Sequence, residues 1–178
     1  MTDTINQYDS IVAKARELVR KKSVDYGESW RELRLSSITD QIYVKAKRIR
    51  QIEEAGGKQE IPDSVESEYY DILNYSIFAL IRLEEKKKDS DGSWELIESF
   101  DRILGAIRDL MVKKNRDYGD AWRDMRVSSI TDQILVKAFR IKEIQKKMGR
   151  VIASEGTESE FRDIINYAIF ALILISQM

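Results

Sequence analysis

The sequence predicts an all-α protein in which a duplicated helical unit forms one bundle with pseudo-twofold symmetry. Apolar residues recur at helical spacing, and no stretch alternates as a strand would. The chain also matches itself without a gap at an offset of 92 residues, and more than half of the pairs between residues 21–80 and 113–172 are identical. Each copy holds one helix too apolar for its own neighbours to enclose, so we expect the halves to pack on each other through these helices. We assign residues 1–85 to the first repeat, 86–93 to a linker and 94–178 to the second repeat.

Composition narrows the possible functions. The 178 residues are long enough to bury a core, and 43% hydrophobic and 34% charged residues are typical of a globular protein. A net charge of -1 argues against bulk nucleic-acid binding. The absence of histidine and cysteine leaves oxygen ligands for any metal, which favours magnesium, manganese or calcium. The polar N-terminus and the short longest apolar run, Ile164 to Ile175, predict a cytoplasmic protein with no membrane partner.

The first helix of each half is amphipathic. Its apolar residues between positions 8 and 19 recur at helical spacing, and the same pattern returns 92 residues later. The helix should end at the Asp-Tyr-Gly motif of residues 25–27, where glycine can adopt a positive φ, and the second copy repeats the motif at residues 117–119. Trp30 and Trp122 follow in a segment too short for a prediction.

The second helix is expected to begin at Ser37, as N-cap, with Asp40 completing a capping box. It should continue to the glycines at residues 56–57. Residues 51–65 differ most between the copies and contain the only proline, which indicates a surface loop.

The third helix is very apolar but begins with acids. Glu68 and Asp71 stand three apart, as do Glu160 and Asp163, so each pair shares one helix face. Carboxylates on a central helix must meet lysine or arginine, meet a metal ion, or face water in a cleft. Acids near a helix start can also simply complement the helix dipole, and Thr157 with Glu160 would suit a capping box.

Further charged and aromatic residues suggest a site beside these acids. Acidic and basic residues on one arc of the second helix form either a solvated face or a surface that meets the acids, so that carboxylates hold a cation while Lys and Arg take phosphate oxygens. The Asp-Tyr-Gly motif and its tryptophan form either a helix stop with a core anchor or an aromatic wall for a base, to which Lys21 and Lys22 add positive charge. The candidate metal ligands are Asp40, Glu68, Asp71, Asp132, Glu160 and Asp163. The candidate nucleotide-binding residues are Lys21, Asp25, Tyr26, Trp30, Lys45, Arg48, Lys113, Asp117, Tyr118, Trp122, Lys137 and Arg140.

The Glu-x-x-Asp element that leads into an apolar helix, at residues 68–75 and 160–167, resembles the second metal motif of the all-α NTP pyrophosphohydrolases, the MazG-like superfamily. With the Lys-x-x-x-Asp-Tyr-Gly element before it and Lys-x-x-Arg between, each half is similar to the nucleotide-modification-associated domain of bacteria and phages. The resemblance implies a helical bundle that handles nucleotides, and in the pyrophosphohydrolases a magnesium-bound water attacks the phosphate chain. Where those enzymes have Glu-Glu-x-x-Glu, this chain has only Asp40 or Asp132.

Two functional classes follow. The first is a nucleotide-binding protein with magnesium as cofactor, pyrophosphohydrolase-like in its chemistry; the alternative is a non-catalytic helical interaction module whose charges form internal ion pairs. Because both copies carry the candidates, we expect two equivalent sites per chain, and further oligomerisation stays open. If Asp71 and Asp163 are metal ligands, as we expect, Asp71→Asn and Asp163→Asn should maintain or raise metal-free stability and abolish magnesium-dependent ligand binding. If they form buried ion pairs instead, each change should lower stability by about 3–5 kcal/mol.

Overall fold

The computed structural model describes residues 2–58, 64–88, 95–147 and 156–178, and all regular secondary structure in these ranges is helical. The first repeat contains α1 (Thr2–Tyr26), α2 (Leu35–Glu54) and α3 (Val65–Lys87). The second repeat contains α4 (Leu96–Tyr118), α5 (Val127–Lys146) and α6 (Thr157–Ser176). A short 3-10 turn, Ser29–Glu32 or Ala121–Asp124, joins the first two helices of each repeat. The predicted all-α, duplicated architecture is confirmed.

The core lies where the two most apolar helices meet. α3 packs against α6, α2 packs against α5, and each second helix packs on the third helix of its own repeat. Ile72 and Ile77 of α3 and Ile164 and Ile169 of α6 are fully buried. Burying these side chains removes much apolar surface from water, which is the main force that joins the two halves.

α1 and α4 cover this four-helix core and cross between the repeats. α1 packs against α6 and α4, and α4 packs against α3. The pseudo-twofold relation is visible in two ion pairs between α1 and α4. Arg16 Nε lies 2.8 Å from Asp101 Oδ1, and Arg108 Nε lies 2.6 Å from Asp9 Oδ1. The offset of 92 residues converts one pair into the other, so the two halves are related by a twofold rotation.

The helix ends partly follow the sequence. α1 ends at Tyr26, and Gly27 has a φ of 63°, as the glycine in the motif predicted. The predicted N-cap at Ser37 is wrong, because α2 begins at Leu35 after an extended Arg34 that gives no side-chain cap. The preceding 3-10 turn sets this earlier start, and the backbone N–H of Ser37 instead donates to Arg34 O at 2.9 Å.

The third helices begin differently in the two repeats. Ser64 caps α3, since its hydroxyl accepts a hydrogen bond from the Ser67 N–H at 3.1 Å. α6 follows Gly156, which has a φ of 84° and gives no side-chain cap. The capping box considered for Thr157 and Glu160 is therefore absent, because Thr157 is already inside the helix.

The connections between helices fall partly outside the described residues. α2 ends at Glu54, close to the glycines at residues 56–57 where the sequence predicted its end, and residues 59–63 of the expected loop at residues 51–65 are not described. α3 continues to Lys87, and most of the predicted linker, from residue 89 onward, also lies outside the described ranges. No helix in the described part of the chain combines the length and apolarity needed to cross a bilayer.

Candidate functional site

Each repeat has a pocket where the end of its first helix, the 3-10 turn and its third helix meet. The first pocket has a volume of about 350 Å³ and the second about 360 Å³. Both values fall within the usual range for small-molecule sites. The lining residues of the second pocket are all equivalents of first-pocket residues at the 92-residue offset. The duplication therefore preserved the pocket together with the fold.

The wall of the first pocket is aromatic. Trp30 stacks on Phe78, with ring centroids 4.4 Å apart and planes inclined by 6°, and the Arg31 guanidinium lies 4.5 Å from the indole. The tryptophan is thus held as a fixed wall whose ring already has packing partners, as in the core-anchor interpretation. Tyr26 at the pocket is 73% exposed and Tyr75 is half-buried, so these rings can contact a ligand.

The aromatic wall is repeated in the second pocket. Trp122 stacks on Phe170 with centroids 4.2 Å apart, and the Arg123 guanidinium lies 4.5 Å from the Trp122 ring. Tyr118 is 79% exposed, like Tyr26 in the first pocket. A large exposed tyrosine therefore stands beside an aromatic pocket in both repeats.

The carboxylates of α3 meet cations from two helices. Lys45 Nζ of α2 lies 2.8 Å from Asp71 Oδ2 and 3.2 Å from Glu68 Oε2. Arg48 Nη1 lies 2.7 Å from Glu68 Oε1, and Lys22 Nζ of α1 lies 2.9 Å from Asp71 Oδ1. The sequence left open whether the charged arc of α2 is a solvated face or meets the acids, and its residues Lys45 and Arg48 meet the acids. Residues three apart on α2 meet residues three apart on α3, which matches the periodicity of packed helices.

These contacts keep Asp71 and Lys45 ionised. Burial acts to raise the pKa of Asp71, but hydrogen bonds from Lys45 and Lys22 outweigh it and hold the pKa below its usual value. Burial acts to lower the pKa of Lys45, and its bonds to Asp71 and Glu68 reverse the effect and raise the pKa. The pKa of Lys137 in the second repeat is raised by the same balance. The two lysines therefore remain cations at neutral pH.

The second cluster is looser. Lys137 Nζ lies 2.8 Å from Asp163 Oδ2, and it lies 3.2 Å from Glu160 Oε2 without hydrogen-bond geometry. Arg140 Nη1 is 3.9 Å from Glu160 Oε1, at the outer limit for an ion pair. Lys114, the equivalent of Lys22, has no ion pair within the described ranges. The second cluster therefore binds its cations less tightly than the first.

A groove of about 720 Å³ adjoins the second pocket. Lys114 and Asp163 line both the pocket and the groove. The groove also contains Arg140 and Arg162, and Arg162 is exposed and without an ion pair to any described residue. Aromatic and cationic surfaces are therefore continuous in the second repeat.

The three acids proposed as metal ligands in each repeat do not form one group, because only the two on the third helix share a cation. Asp40 pairs with Lys142, and Asp132 lies 3.6 Å from Arg50 Nη1, so both acids face the contact between α2 and α5. No group of three or more carboxylate, histidine or cysteine side chains in the described part of the chain is placed to hold a metal ion.

Lys45 gives a second reason against a metal held by the protein alone. Its ammonium lies between Glu68 and Asp71, where a cation shared by the two carboxylates would bind. The described donor set does not fit a protein-held magnesium ion.

Of the six pairs of proposed nucleotide-binding residues, only the two aromatic pairs, Tyr26 with Tyr118 and Trp30 with Trp122, line the two aromatic pockets. Lys45, Arg48 and their equivalents contact the acids of the third helices instead. Lys21 is 3.7 Å from Glu17 on its own helix, and Asp25 is exposed and does not line the pocket. Their equivalents Lys113 and Asp117 do not line the second pocket either.

The neighbouring lysines, Lys22 and Lys114, line the pockets instead. The sequence offered Lys22 beside Lys21 as a charge near the aromatic wall, and helical spacing favours Lys22 because it stands four residues before Tyr26 and shares its face. Asn74 and Tyr75 were missed, although they stand three and four residues after Asp71.

Comparison with known proteins gives a family but no individual relative. The sequence model described as nucleotide modification associated domain 1 matches residues 22–83 and again residues 114–175. No curated protein matches the chain, and no solved structure matches it. The two matched segments cover more than half of the sequence and coincide with the two copies that share the pocket. The chain therefore belongs to the nucleotide modification associated domain 1 family, with two copies of the domain in tandem.

Proposed function

We propose that each repeat binds a nucleotide, with the base against the aromatic pocket and the phosphates at the neighbouring cations. The observation that carries this proposal is an aromatic pocket continuous with a Lys and Arg cluster, present at equivalent positions in both repeats. Nucleotides combine a flat apolar base with a polyanion, so such a surface complements both parts of the ligand.

The exposed tyrosines support the placement of the base. Tyr26 and Tyr118 are 73% and 79% exposed, although tyrosine bodies are apolar. Each lies beside the fixed tryptophan wall of its pocket. Stacking of one base on an aromatic side chain contributes about 1–3 kcal/mol, and it tolerates every base because each has a π-face. Stacking on these tyrosines would therefore favour nucleotides in general, whichever base they carry.

The phosphates would meet the more exposed cations. In the first repeat Lys45 and Arg48 already bond to buried Glu68, whereas Lys22 is 58% exposed and can turn from Asp71 to an incoming phosphate. In the second repeat Lys114 has no competing ion pair among the described residues. Lysine is a common point-charge ligand of phosphate.

The proposal is for binding rather than hydrolysis. Similarity to the pyrophosphohydrolases suggests magnesium, and magnesium is commonly held by one or two carboxylates together with substrate phosphates. Glu68 and Asp71 are already neutralised by Lys45, so these residues do not supply such a site. Magnesium therefore enters this proposal only as the counterion that a nucleotide carries.

The second candidate is a non-catalytic interaction module. It is favoured by one observation, that the acids of α3 find their cations within the protein. Charges satisfied internally require no ligand. The two candidates differ in whether nucleotides stabilise the native protein.

Isothermal titration calorimetry and thermal shift with nucleoside triphosphates, each with and without magnesium, test the proposal. Binding to the native state must raise the melting temperature by mass action. The double variant Tyr26→Ala, Tyr118→Ala should weaken binding by about 1–3 kcal/mol per site. Val24→Ala is its matched control, because Val24 is 75% exposed on the same helix and does not line the pocket.

A second variant tests the phosphate contact. Lys22→Gln should weaken triphosphate binding more than binding of the uncharged nucleoside, since only the former has phosphates to lose. Lys21→Gln removes a similar charge outside the pocket and should leave both unaltered. No response to any nucleotide would reject nucleotide binding and favour the interaction module.

A further inference from the structure

Asn74 and Asn166 occupy equivalent positions in the two pockets but differ in their partners. Asn166 Oδ1 accepts a hydrogen bond of 2.9 Å from the Tyr8 hydroxyl. Asn74 is 4% exposed, and its Oδ1 is buried with no hydrogen-bond partner among the described residues. Buried polar side-chain atoms usually have a partner, so an unpaired amide oxygen on a residue that lines a pocket is a candidate acceptor for a ligand.

The difference originates in the outer helices. Tyr8 belongs to α1, which packs on α6 and so reaches the pocket of the other repeat. The equivalent of Tyr8 is Phe100 of α4, which packs on α3 and is fully buried. Phenylalanine has no hydroxyl to donate. In the first pocket the Asn74 oxygen therefore has no donor among the described residues, whereas in the second pocket the Asn166 oxygen already accepts from Tyr8.

A second unpaired group is common to both pockets. The indole Nε1 atoms of Trp30 and Trp122 are both buried without a hydrogen-bond partner among the described residues. Both pockets thus offer an N–H donor from tryptophan, and only the first also offers a free carboxamide oxygen. Of these two unpaired groups, only the acceptor differs between the pockets.

We propose that Asn74 is a specificity-determining residue whose side-chain oxygen accepts a hydrogen bond from an N–H group of the base in the first pocket. The second pocket lacks this selection because the Tyr8 hydroxyl already donates to the Asn166 oxygen. This inference rests on the nucleotide binding proposed above. The ligand class is a nucleobase with a ring imino or exocyclic amino N–H on the edge that enters the pocket. A base without that N–H leaves the carboxamide unpaired and loses one hydrogen bond, so it should bind more weakly.

Paired ligands measure this selection directly. ATP is compared with purine riboside triphosphate, which lacks the exocyclic amine, and UTP with its N3-methyl analogue, which lacks the imino N–H. The stacking face and the phosphates are retained within each pair. In the wild-type protein, calorimetry should show two binding sites, and at one of them at least one parent nucleotide should be preferred roughly tenfold over its analogue, since one hydrogen bond corresponds to about that ratio.

Three substitutions assign the selection to Asn74. Asn74→Leu retains the approximate volume and should abolish the preference at the selective site, whereas Asn166→Leu should not alter that preference. Tyr8→Phe frees the Asn166 oxygen and should raise the number of selective sites from one to two, with the total number of bound nucleotides unchanged. Tyr8→Phe introduces the residue already tolerated at Phe100, and melting temperatures check that each variant is folded.

Phe100→Tyr is the reciprocal variant. It supplies a hydroxyl where Asn74 has none, and it should remove selection at the first pocket without changing Asn74 itself. Equal affinity for parent and analogue in the wild-type protein, or preference that survives both Asn74→Leu and Phe100→Tyr, would overturn the inference and leave nucleotide binding standing. Failure of every nucleotide to bind would overturn both.

Discussion

The charge clusters of the two repeats use the same residue types and differ in how tightly they are joined. In the first, Asp71 accepts from two lysines and Glu68 bonds Arg48 at 2.7 Å. In the second, Asp163 accepts from Lys137 alone, and Arg140 is 3.9 Å from Glu160. The side chain of Glu68 is 4% exposed and that of Glu160 is 16% exposed. The first cluster is a closed network and the second is partly open to water.

Residues near the two clusters differ between the repeats. Lys14 lies 4.9 Å from the centre of the Tyr70 ring and 2.6 Å from Glu66, so these side chains contact one another at the start of α3, which carries the acids of the first cluster. The equivalents of Lys14 and Tyr70 are Ala106 and Arg162, and Arg162 lines the groove beside the second cluster. Identical site residues therefore form different sites when their neighbours change.

The largest expected effect is on the buried glutamates. Glu68→Gln removes the charge that pairs Lys45 and Arg48 and leaves cations without a full partner in a buried place, so it should cost about 3–5 kcal/mol. Glu160→Gln should cost less, about 1–2 kcal/mol, because its partners are more distant and its surroundings wetter. Urea unfolding at neutral pH measures both values, and equal losses would contradict the contrast between closed and open clusters.

The aspartates should show a smaller difference in the same direction. Asp71→Asn should lower stability by about 1–2 kcal/mol, since two lysines lose a charged partner that is 26% exposed. Asp163→Asn should cost under about 1 kcal/mol, because Asp163 is 37% exposed and bonds one lysine. A metal-ligand role predicted that Asp71→Asn would maintain or raise metal-free stability, whereas the observed ion pairs predict that it lowers it. An increase in metal-free stability for Asp71→Asn would restore the metal hypothesis.

The effect of Asp71→Asn should depend on pH. The folded state holds the pKa of Asp71 below its ordinary value of 3.8, so the stability it contributes is present above that value and is lost as pH falls through the folded pKa. The difference between wild-type and variant should therefore be full at pH 6 and shrink below about pH 4. Asp25→Asn, at an exposed position outside the pocket, is the control.

The smallest expected effect concerns Glu53, whose equivalent is Gln145. Thr131 donates to Glu53 at 2.7 Å, while Gln145 donates to Thr39 at 2.9 Å. Burial raises the pKa of Glu53, and the nearby acids add to this effect. The folded state therefore binds this proton more tightly, and stability declines as pH rises through the ordinary value of 4.5 toward the folded pKa.

Glu53→Gln makes the first repeat match the second at this position and removes the cost of ionisation. We expect a gain of up to about 1 kcal/mol at pH 7 and no gain at pH 3. Thermal unfolding at the two pH values measures it. A loss at pH 7 would show that the charge of Glu53 stabilises the protein.

The sequence predicted the fold because its evidence was internal. An ungapped duplication with helical periodicity leaves few alternatives to a symmetric helical bundle. The start of α2 was harder, since the extended Arg34 after a short 3-10 turn, and not Ser37, determines it. Sequence patterns locate periodic segments well, but the end of a helix depends on the conformation of the preceding turn.

The site was predicted in part, for a related reason. Spacing placed Glu68 and Asp71 on one face and offered Lys45 as a partner, and the structure joins them. Asp40 lies on α2 like Lys45, but it faces α5 and pairs with Lys142. The pattern of residues in one helix does not specify which neighbouring helix each face meets. The mismatch of Tyr8 with Phe100 is visible in the sequence, yet its importance depends on α1 crossing to the other repeat.

That crossing gives the tandem arrangement a property that a homodimer of a single repeat would lack. In a dimer of identical chains, symmetry requires the same residue above both pockets, so any change in the outer helix alters both sites at once. Covalent fusion removes this constraint, and Tyr8 and Phe100 now differ within one polypeptide. After the gene duplication, a mutation can therefore change the residue beside one pocket without changing its equivalent beside the other. One pocket can diverge while the other is maintained, although both lie on the same core.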